Sequence, residues 1–377
     1  MRLFLRISCP AFALTFVVFA KESTPGQHLP LAPAVVLRNE GGMKALVTGG
    51  GGFLGRYVVA ALLEEGWEVC AVGRSPQPDL QGPCLTFRRL DLAQHHELRQ
   101  VAEGCDAIFH LAAKAGVWGR YRDYFAANVS GTRNVLAAAR EAGVPRLIYT
   151  STPSVVFNQQ PLRGVDESQP YGRDWLCAYA ETKAQAEQEV LAAHQPGTLA
   201  TVALRPHLIW GKGDNHLLPR VIDRARRGRL RIVGQGNNRV DLVHVRNAAA
   251  AHLLAEKALR DPQHPAGGKA YFITQGEPVE LWPWINRLLQ ELSLAPVTRK
   301  VPLPAAYAAG AVLEAVYRLF QIPGEPPMTR FLATELAKDH FFSIAAAQKD
   351  LGYQPTFSEE EGLAEFVADW KKEHIPA

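Results

Sequence analysis

Tyr179 and Lys183 stand four residues apart in the segment Tyr179-Ala-Glu-Thr-Lys183. On a helix, this spacing places both side chains on one face. A tyrosine near its unperturbed pKa of about 10 exchanges protons poorly at neutral pH, and an adjacent ammonium lowers that pKa because it favours the phenolate. The pair is therefore predicted to be a proton donor and acceptor, although the same spacing also occurs on ordinary surface helices.

A glycine-rich turn forms a second candidate site, between an apolar strand predicted at 44–48 and a helix predicted at 53–65. The first glycine is expected to make the tight turn, the second to let backbone N–H groups approach a pyrophosphate, and the third to let the helix pack closely on the strand. Strand, spacing and helix together predict a dinucleotide site. The predicted cofactor contacts in this turn are Gly49, Gly52, Phe53, Leu54 and Gly55.

From Met43 onward, apolar strands alternate with amphipathic helices, which predicts an α/β fold with a Rossmann-type, doubly wound parallel sheet. We expect a cofactor-binding domain at 43–205 and a smaller, mostly helical substrate-binding region at 206–377 that is interleaved with the sheet. Strands are predicted at about 44–48, 68–72, 86–90, 107–111, 146–150 and 201–204. Helices are predicted at about 53–65, 94–103, 121–142, 178–193, 281–292, 305–320 and 358–371.

The composition is that of an ordinary globular protein. The chain has 377 residues, 47% of them hydrophobic and 21% charged, so it can bury a large core. A net charge of +4 and one short basic run at 220–231 do not indicate a nucleic-acid partner. The five cysteines are scattered without metal-binding spacing, so we expect no metal site, no disulfide framework and a cytoplasmic location.

The first 42 residues differ from the rest of the chain. Arg2 and Arg6 precede an apolar stretch at 7–20, a pattern typical of a targeting segment but too short to span a bilayer. Met43 stands immediately before the first predicted strand. We interpret 1–42 as an unstructured upstream extension from a misassigned start, with a targeting or membrane-tethering segment as the alternative.

Three further segments carry a resemblance to a known family. They are HLAAKAGVWG at 110–119, YTSTPSVVF at 149–157 and RPHLIWGKGDNHLLPR at 205–220. With the glycine turn and the Tyr-Lys pair, they resemble the extended short-chain dehydrogenases and reductases, and within them the 3β-hydroxysteroid dehydrogenase branch. The resemblance implies that a hydride passes between a nicotinamide and a carbonyl carbon while a Ser-Tyr-Lys set handles the oxygen.

The resemblance also assigns roles to individual residues. Tyr179 becomes the acid in reduction and the base in oxidation. Lys183 lowers the pKa of that tyrosine and hydrogen-bonds the nicotinamide ribose. Thr152 takes the serine position, with Ser151 as the alternative if the register differs by one residue. Asn128 matches an asparagine that organises the site, with a capping or buried structural asparagine as the alternative.

The cofactor preference depends on the residue after the second strand. Arg74 stands where an acidic residue would select NAD, and an arginine can pair with the 2′-phosphate of NADP. We therefore expect NADP(H), with NAD(H) as the alternative. The other cofactor contacts implied by the resemblance are Asp91, Leu92, Ala112, Ala113 and Pro206, together with Tyr179 and Lys183.

The predicted substrate pocket follows two strands whose carboxyl ends face the cofactor. Its aromatic and apolar lining suggests a hydrophobic, lipid-like substrate. Arg220 or Lys212 can hold a carboxylate, although solvent-facing cations are the simpler interpretation. The helix at 305–320 is expected to pack on the core, with a role over an acyl channel or at a membrane surface as the alternative. The predicted lining residues are Val117, Trp118, Tyr121, His207, Trp210, Asn215 and His216.

Within the branch, the resemblance is strongest to bacterial reductases of long-chain olefin biosynthesis. This implies that the 3-oxo group of a 2-alkyl-3-oxoalkanoic acid is reduced to the 3-hydroxy acid. The alternatives are a 3β-hydroxysteroid or sterol dehydrogenase and a non-catalytic NADP-binding regulatory protein. The sequence is compatible with a homo-oligomer, with an assembly that includes pathway enzymes, and with peripheral contact to a membrane.

Overall fold

A computed structural model describes residues 42–374 of the chain. The strands in this part, in chain order, are β1 (Lys44–Thr48), β2 (Glu68–Gly73), β3 (Leu85–Arg89), β4 (Ala107–His110), β5 (Arg146–Thr150), β6 (Leu162–Val165), β7 (Ala200–Pro206), β8 (Ile209–Trp210), β9 (Ile232–Val233), β10 (Arg239–Val240), β11 (Val243–His244), β12 (Ala270–Ile273), β13 (Val279–Glu280), β14 (Lys300–Val301) and β15 (His340–Phe342). The expectations for 1–42 concern residues that, apart from Gly42, lie outside the described part.

The helices in the same part complete the secondary structure. In chain order they are α1 (Phe53–Glu64), α2 (His95–Ala102), α3 (Tyr121–Tyr124), α4 (Gly131–Glu141), α5 (Ala178–Ala192), α6 (Leu218–Arg226), α7 (Val245–Ala258), α8 (Leu281–Glu291), α9 (Leu303–Leu319), α10 (Arg330–Glu335), α11 (Ala345–Leu351) and α12 (Glu359–His374). A π-helical segment, Phe125–Ser130, joins α3 to α4. A short 3₁₀ helix, Pro153–Val156, follows β5.

The main sheet has seven strands in the order β12-β7-β5-β4-β1-β2-β3. Every neighbouring pair is parallel. This confirms the predicted Rossmann-type fold, and six of the seven strands lie where the sequence places them. The strand order reverses between β1 and β4, and their carboxyl ends at Thr48 and His110 border the crevice where such sheets bind ligands.

Helices cover both faces of the main sheet. On one face, α1 and α7 share a core with the apolar side chains of β1, β2 and β7. On the other face, α2, α4 and α5 form a second core with the same sheet. The sequence pattern does not predict α7 or β12. Both belong to the main sheet and its covering helices, although they lie beyond residue 205, the predicted end of the cofactor-binding domain. The alanine-rich α7 is buried on several sides and therefore shows little amphipathic contrast.

A separate apolar cluster forms the core of the C-terminal region, where α6, α8, α10 and α12 meet around Trp210, Trp282 and Trp284. A four-stranded sheet in the order β13-β10-β15-β6 is a feature that the sequence pattern does not predict. Its edge strand β6 comes from the first half of the chain, between β5 and α5. This region therefore contains a small sheet as well as the expected helices.

Helix α9 is buried along only one of its faces. Ala306, Gly310, Glu314 and Tyr317 are buried, whereas Val312 and Leu319 are 63% and 76% exposed. The expectation of core packing therefore holds for one face alone. Among the described residues, no helix combines the length and apolar character needed to cross a bilayer.

Candidate active site

The glycine turn is held by backbone contacts between β1 and α1. Gly49 has a φ of +71°, and a Cβ there would lie 2.9 Å from the backbone nitrogen of Ala112. A Cβ at Gly55 would lie 2.1 Å from the carbonyl oxygen of Gly49. Both positions therefore require glycine. At Gly52, the N-cap of α1, a Cβ would lie 3.2 Å from the Gly49 oxygen and would meet no other atom within 4 Å, so the surface beside it is open.

Phe53 and Leu54, also predicted contacts, are the first two residues of α1. The amino terminus of this helix therefore opens at the strand-order reversal, where its free N–H groups favour a phosphate. Ala112 and Ala113 follow β4 at the same edge of the sheet. The Ala112 N–H donates to Thr48 Oγ1 at 3.2 Å. Pro206 ends β7, two strands away.

Lys183 lies in the first half of α5 and is only 2% exposed. Its ammonium donates to the carbonyl oxygen of Thr150 at 2.6 Å and lies 4.0 Å from the centre of the Tyr149 ring. Burial lowers the pKa of Lys183 to about 7, and the carboxylate of Glu187, one turn further along the helix, acts in the opposite direction. The lysine is thus fixed at the end of β5, beneath the helix turn that carries Tyr179.

Thr152 is the threonine that the structure brings to Tyr179. It caps the 3₁₀ helix, and its Oγ1 accepts from Ser154 N at 3.2 Å. Burial raises the pKa of Tyr179 to about 12, and its hydrogen bond with Thr152 lowers that pKa by a smaller amount. The prediction that the pKa of Tyr179 lies below its ordinary value is therefore wrong for the protein alone, because burial dominates. The hydroxyl of Ser151 is buried without a hydrogen-bond partner among the described residues.

Asn128 lies in the π-helical segment and is 1% exposed. Its Oδ1 accepts from Lys114 N at 2.7 Å, and its Nδ2 donates to Lys114 O at 3.2 Å and to Thr182 Oγ1 at 3.1 Å. One amide therefore ties the loop after β4 to the first turn of α5. In this geometry Asn128 is a buried structural residue, and it also positions the loop after β4 relative to α5.

His110 is a further positioning residue that the sequence reasoning did not single out. It is fully buried at the end of β4, where Nδ1 lies 2.7 Å from Thr48 Oγ1 and Nε2 lies 2.9 Å from Thr132 Oγ1. The Thr132 hydroxyl donates to Asn128 O at 2.6 Å, so the hydrogen-bond pattern assigns the ring proton to Nε2. Burial, with a smaller contribution from Lys183, lowers the pKa of His110 to about 3. A neutral histidine thus links the glycine-turn strand to Asn128.

The predicted NADP-selecting residue, Arg74, is exposed directly after β2. Arg89, the last residue of β3, donates from Nε to the carbonyl oxygen of Arg74 at 3.0 Å. Two arginines therefore stand together at this edge, although only Arg74 was predicted. Asp91 is exposed after β3 and caps the following turn through Ala93 N at 3.0 Å. Leu92 packs toward α4, where a Cβ on Gly131 would lie 3.3 Å from its Cδ1.

The predicted pocket residues separate into two groups. Val117 and Trp118 are partly exposed after β4, and the Trp118 ring meets Tyr317 edge-to-face at 6.3 Å. Tyr121 is 42% exposed and its hydroxyl accepts from Gln185 Nε2, on α5, at 3.1 Å. The loop after β4 therefore reaches α9, and the start of α3 reaches α5.

In the second group, after β7, two of the four residues are buried and two are exposed. Trp210 is 1% exposed and packs edge-to-face on Trp284 at 5.3 Å, so its prediction as a pocket residue is wrong. His207 is buried with Nε2 2.6 Å from His340 Nδ1. Asn215 and His216 are exposed just before α6.

The two cations predicted as alternatives for holding a carboxylate each have an acidic partner. Lys212 Nζ lies 2.9 Å from Asp369 Oδ1. Arg220 Nη1 lies 3.0 Å from Glu325 Oε2. Their charges are therefore balanced within the protein, which favours the interpretation as structural and solvent-facing residues.

The geometry agrees with the match to a known family. Residues 46–304 match the model of the 3-beta hydroxysteroid dehydrogenase/isomerase family. The chain belongs to this family. A 2-alkyl-3-oxoalkanoate reductase of Stenotrophomonas maltophilia is 48% identical over 86% of the chain and 99% of that relative. A second protein of the same name, from Shewanella oneidensis, is 44% identical over 86% of the chain and 85% of that relative.

A solved structure shares the fold of this family member. MoeE5 in complex with UDP-glucuronic acid and NAD is 27% identical, with a TM-score of 0.67, and the match covers 88% of the chain and 99% of MoeE5. The chain is accordingly an NAD(P)-dependent oxidoreductase of the 3-beta hydroxysteroid dehydrogenase/isomerase family.

The residues present fit a nicotinamide dinucleotide, as this family requires. The open surface at Gly52 and the amino terminus of α1 would hold the pyrophosphate. Lys183 and Tyr179 on α5 stand at the carboxyl ends of β4 and β5, where the nicotinamide end of the cofactor would lie. When bound, the cofactor supplies or accepts the hydride.

Proposed function

We propose that the protein uses NADPH to reduce the 3-oxo group of a hydrophobic 2-alkyl-3-oxoalkanoic acid, giving the 2-alkyl-3-hydroxy acid. The observation that carries this proposal is the grouping of Thr152, Tyr179 and Lys183 at the cofactor crevice of a chain that is 48% identical to a 2-alkyl-3-oxoalkanoate reductase. The proposal includes a cytoplasmic location, where a nicotinamide pool is available, and a role in olefin biosynthesis.

Three side chains have separate roles at the carbonyl oxygen of the substrate. The reduced carbonyl becomes an alkoxide, and the Tyr179 hydroxyl donates its proton to that oxygen. Thr152 hydrogen-bonds Tyr179 and holds the hydroxyl in place. Lys183, anchored on Thr150 O, stabilises the tyrosinate that forms. Because burial keeps the tyrosine protonated before the reaction, the group is prepared to act as an acid.

Thr152 also affects the shape of the site. It is 8% exposed and presents a hydroxyl with an extra methyl group where the commoner family residue is serine. Its capping bond to Ser154 N fixes the side chain. We infer that the methyl group narrows the space beside the reacting carbonyl, which favours a flexible acyl chain over a rigid sterol ring.

The proposal is tested with purified protein by nicotinamide absorbance in the oxidative direction, because 3-oxo acids decarboxylate. The substrates are a 2-alkyl-3-hydroxy fatty acid and a 3β-hydroxysteroid, each with NADP and with NAD. We expect turnover of the fatty acid with NADP and a kcat about 10²- to 10⁴-fold lower in Tyr179→Phe, since a positioned acid or base contributes that much.

Tyr57→Phe is the matched control, because the Tyr57 hydroxyl donates to the carbonyl oxygen of Lys212 at 2.9 Å and has no part in the proposed proton transfer. Its kcat is expected to stay near the wild-type value. Turnover of the steroid alone would refute the proposed substrate class. Tight NADP binding without turnover of either substrate would favour a binding protein instead.

A further inference from the structure

Lys114 is a cation in the loop that borders the candidate site, and the proposed mechanism does not use it. It follows Ala112 and Ala113 in the loop after β4 and is partly buried. Among residues 42–374, no carboxylate lies within ion-pair distance of its ammonium, in contrast to Lys212 and Arg220. We propose that Lys114 binds the carboxylate of the substrate and thereby selects 3-oxo and 3-hydroxy acids over neutral ketones and alcohols.

The backbone of Lys114 is fixed relative to the catalytic helix. Asn128 holds both its N–H, at 2.7 Å, and its carbonyl oxygen, at 3.2 Å. The same Asn128 amide donates to Thr182 Oγ1 at 3.1 Å, and that hydroxyl lies 3.2 Å from the carbonyl oxygen of Tyr179. Two side chains thus connect Lys114 to the turn that carries the proton donor, so the distance between them is set by the fold.

The side chain of Lys114 is directed by Tyr124. Its Nζ lies 5.2 Å from the centre of the Tyr124 ring, a cation–π contact. Tyr124 is 1% exposed, and its hydroxyl bonds the carbonyl oxygens of Gly116 at 2.9 Å and Trp118 at 3.0 Å. Burial raises the pKa of Tyr124 to about 12, and the carboxylate of Glu325 adds to that effect. Tyr124 therefore holds the loop on which Lys114 stands and also contacts its ammonium.

Glu325, a carboxylate near the loop after β4, is already paired with a cation. A Cβ on Gly116 would lie 3.0 Å from Glu325 Oε1, and Glu325 Oε2 pairs with Arg220 Nη1 at 3.0 Å. The acidic side chain therefore leaves the Lys114 charge free for an anion. An ammonium contacting a carboxylate forms a charge-assisted hydrogen bond, which is stronger than a neutral one.

The substrate chemistry matches this arrangement. In a 2-alkyl-3-oxoalkanoic acid, the carboxylate is separated from the reacting carbonyl carbon by a single carbon. A cation on the loop beside the catalytic turn can therefore hold the carboxylate while Tyr179 faces the carbonyl oxygen. This inference rests on the proposed function, and it names the residue that recognises the acid.

The test compares a 2-alkyl-3-hydroxy acid with its methyl ester, in the oxidative direction with NADP. We expect Lys114→Met and Lys114→Gln to lower kcat/KM for the acid about 10- to 100-fold, as expected for loss of one charged hydrogen bond. Turnover of the ester should change less than twofold. Lys114→Arg should restore the preference for the acid, and the control Lys212→Met should leave it unchanged.

Each other outcome has a distinct meaning. An equal loss for acid and ester in both neutral variants, or no loss at all, would overturn the assignment of Lys114 while leaving the proposed function intact. If wild-type protein oxidises neither acid nor ester but oxidises a 3β-hydroxysteroid, the proposed function fails and this inference fails with it. Binding of NADP, measured by fluorescence for every variant, shows that the fold is retained.

Discussion

The cofactor side of the crevice and the substrate side are built differently. On the cofactor side, the close contacts involve backbone atoms, such as the approach of Gly49 to Ala112 and the bond from Lys183 to Thr150 O. On the substrate side, side chains from distant segments pack on one another, as His207 does on His340, 133 residues away. Backbone geometry restricts residue identity tightly, whereas side-chain packing accepts many combinations.

This difference explains why the residues of the cofactor side can be predicted from the sequence more fully than those of the substrate side. A glycine that needs a positive φ, or a helix turn with Tyr179 and Lys183 on one face, has a signature within a few residues. An aromatic residue after a strand has the same appearance whether it lines a pocket or fills a core. Trp118 and Trp210 show both outcomes, since Trp118 is partly exposed and Trp210 is 1% exposed.

The largest expected effect separates these two tryptophans. Trp210→Ala should lower the free energy of unfolding by about 3–5 kcal/mol, because it opens a cavity beside Trp284. Trp118→Ala should lower it by about 1 kcal/mol and raise KM for the acyl substrate. Urea unfolding and steady-state kinetics measure both quantities. Equal losses of stability in the two variants would remove the distinction between core and pocket on the substrate side.

The second prediction concerns the neutral His110 on the cofactor side. Its pKa is lowered to about 3, so the unfolded chain binds more protons than the folded one between pH 6.5 and about 3. Stability should therefore fall as pH decreases through that range, and this residue should account for roughly 2 kcal/mol of the loss between pH 8 and pH 5. In His110→Gln, the loss on acidification should be smaller by that amount.

Urea unfolding at pH 8 and pH 5 checks this prediction. His252 on α7 is a useful comparison, because burial lowers its pKa to about 4 and His252→Gln should change the acid sensitivity in the same direction. An unchanged pH dependence in His110→Gln would mean that His110 has the same pKa in the folded and unfolded chains, so that burial does not lower it. The hydrogen bonds that run from Thr48 through His110 and Thr132 to Asn128, with the ring proton on Nε2, would then be assigned incorrectly.

The smallest expected effect tests the cofactor preference at Arg74. Arg74→Gln should raise KM for NADP about tenfold and leave KM for NAD nearly unchanged, because only NADP carries the 2′-phosphate. Arg89→Gln, at the neighbouring strand end, is the matched variant and should have a smaller effect of the same sign. A similar change in KM for both cofactors would show that Arg74 acts on the fold of the strand end rather than on the phosphate.

The sequence by itself determined the parallel sheet, the glycine turn and the Tyr179–Lys183 helix, because each depends on local periodicity or on a single backbone requirement. Family membership could also be recognised from the sequence, because the family model matches residues 46–304. It did not reveal α7, whose alanines give no clear amphipathic pattern, or β12, which joins the sheet only through pairing with β7.

Only the tertiary structure decided which polar residues meet. It brought Thr152 rather than Ser151 to Tyr179, placed His110 between Thr48 and Thr132, and paired Lys212 and Arg220 with carboxylates. It also overturned the predicted pKa of Tyr179, because the sequence gives charge spacing but not burial. Contacts between distant segments and the loss of water around a side chain exist only once the chain has folded.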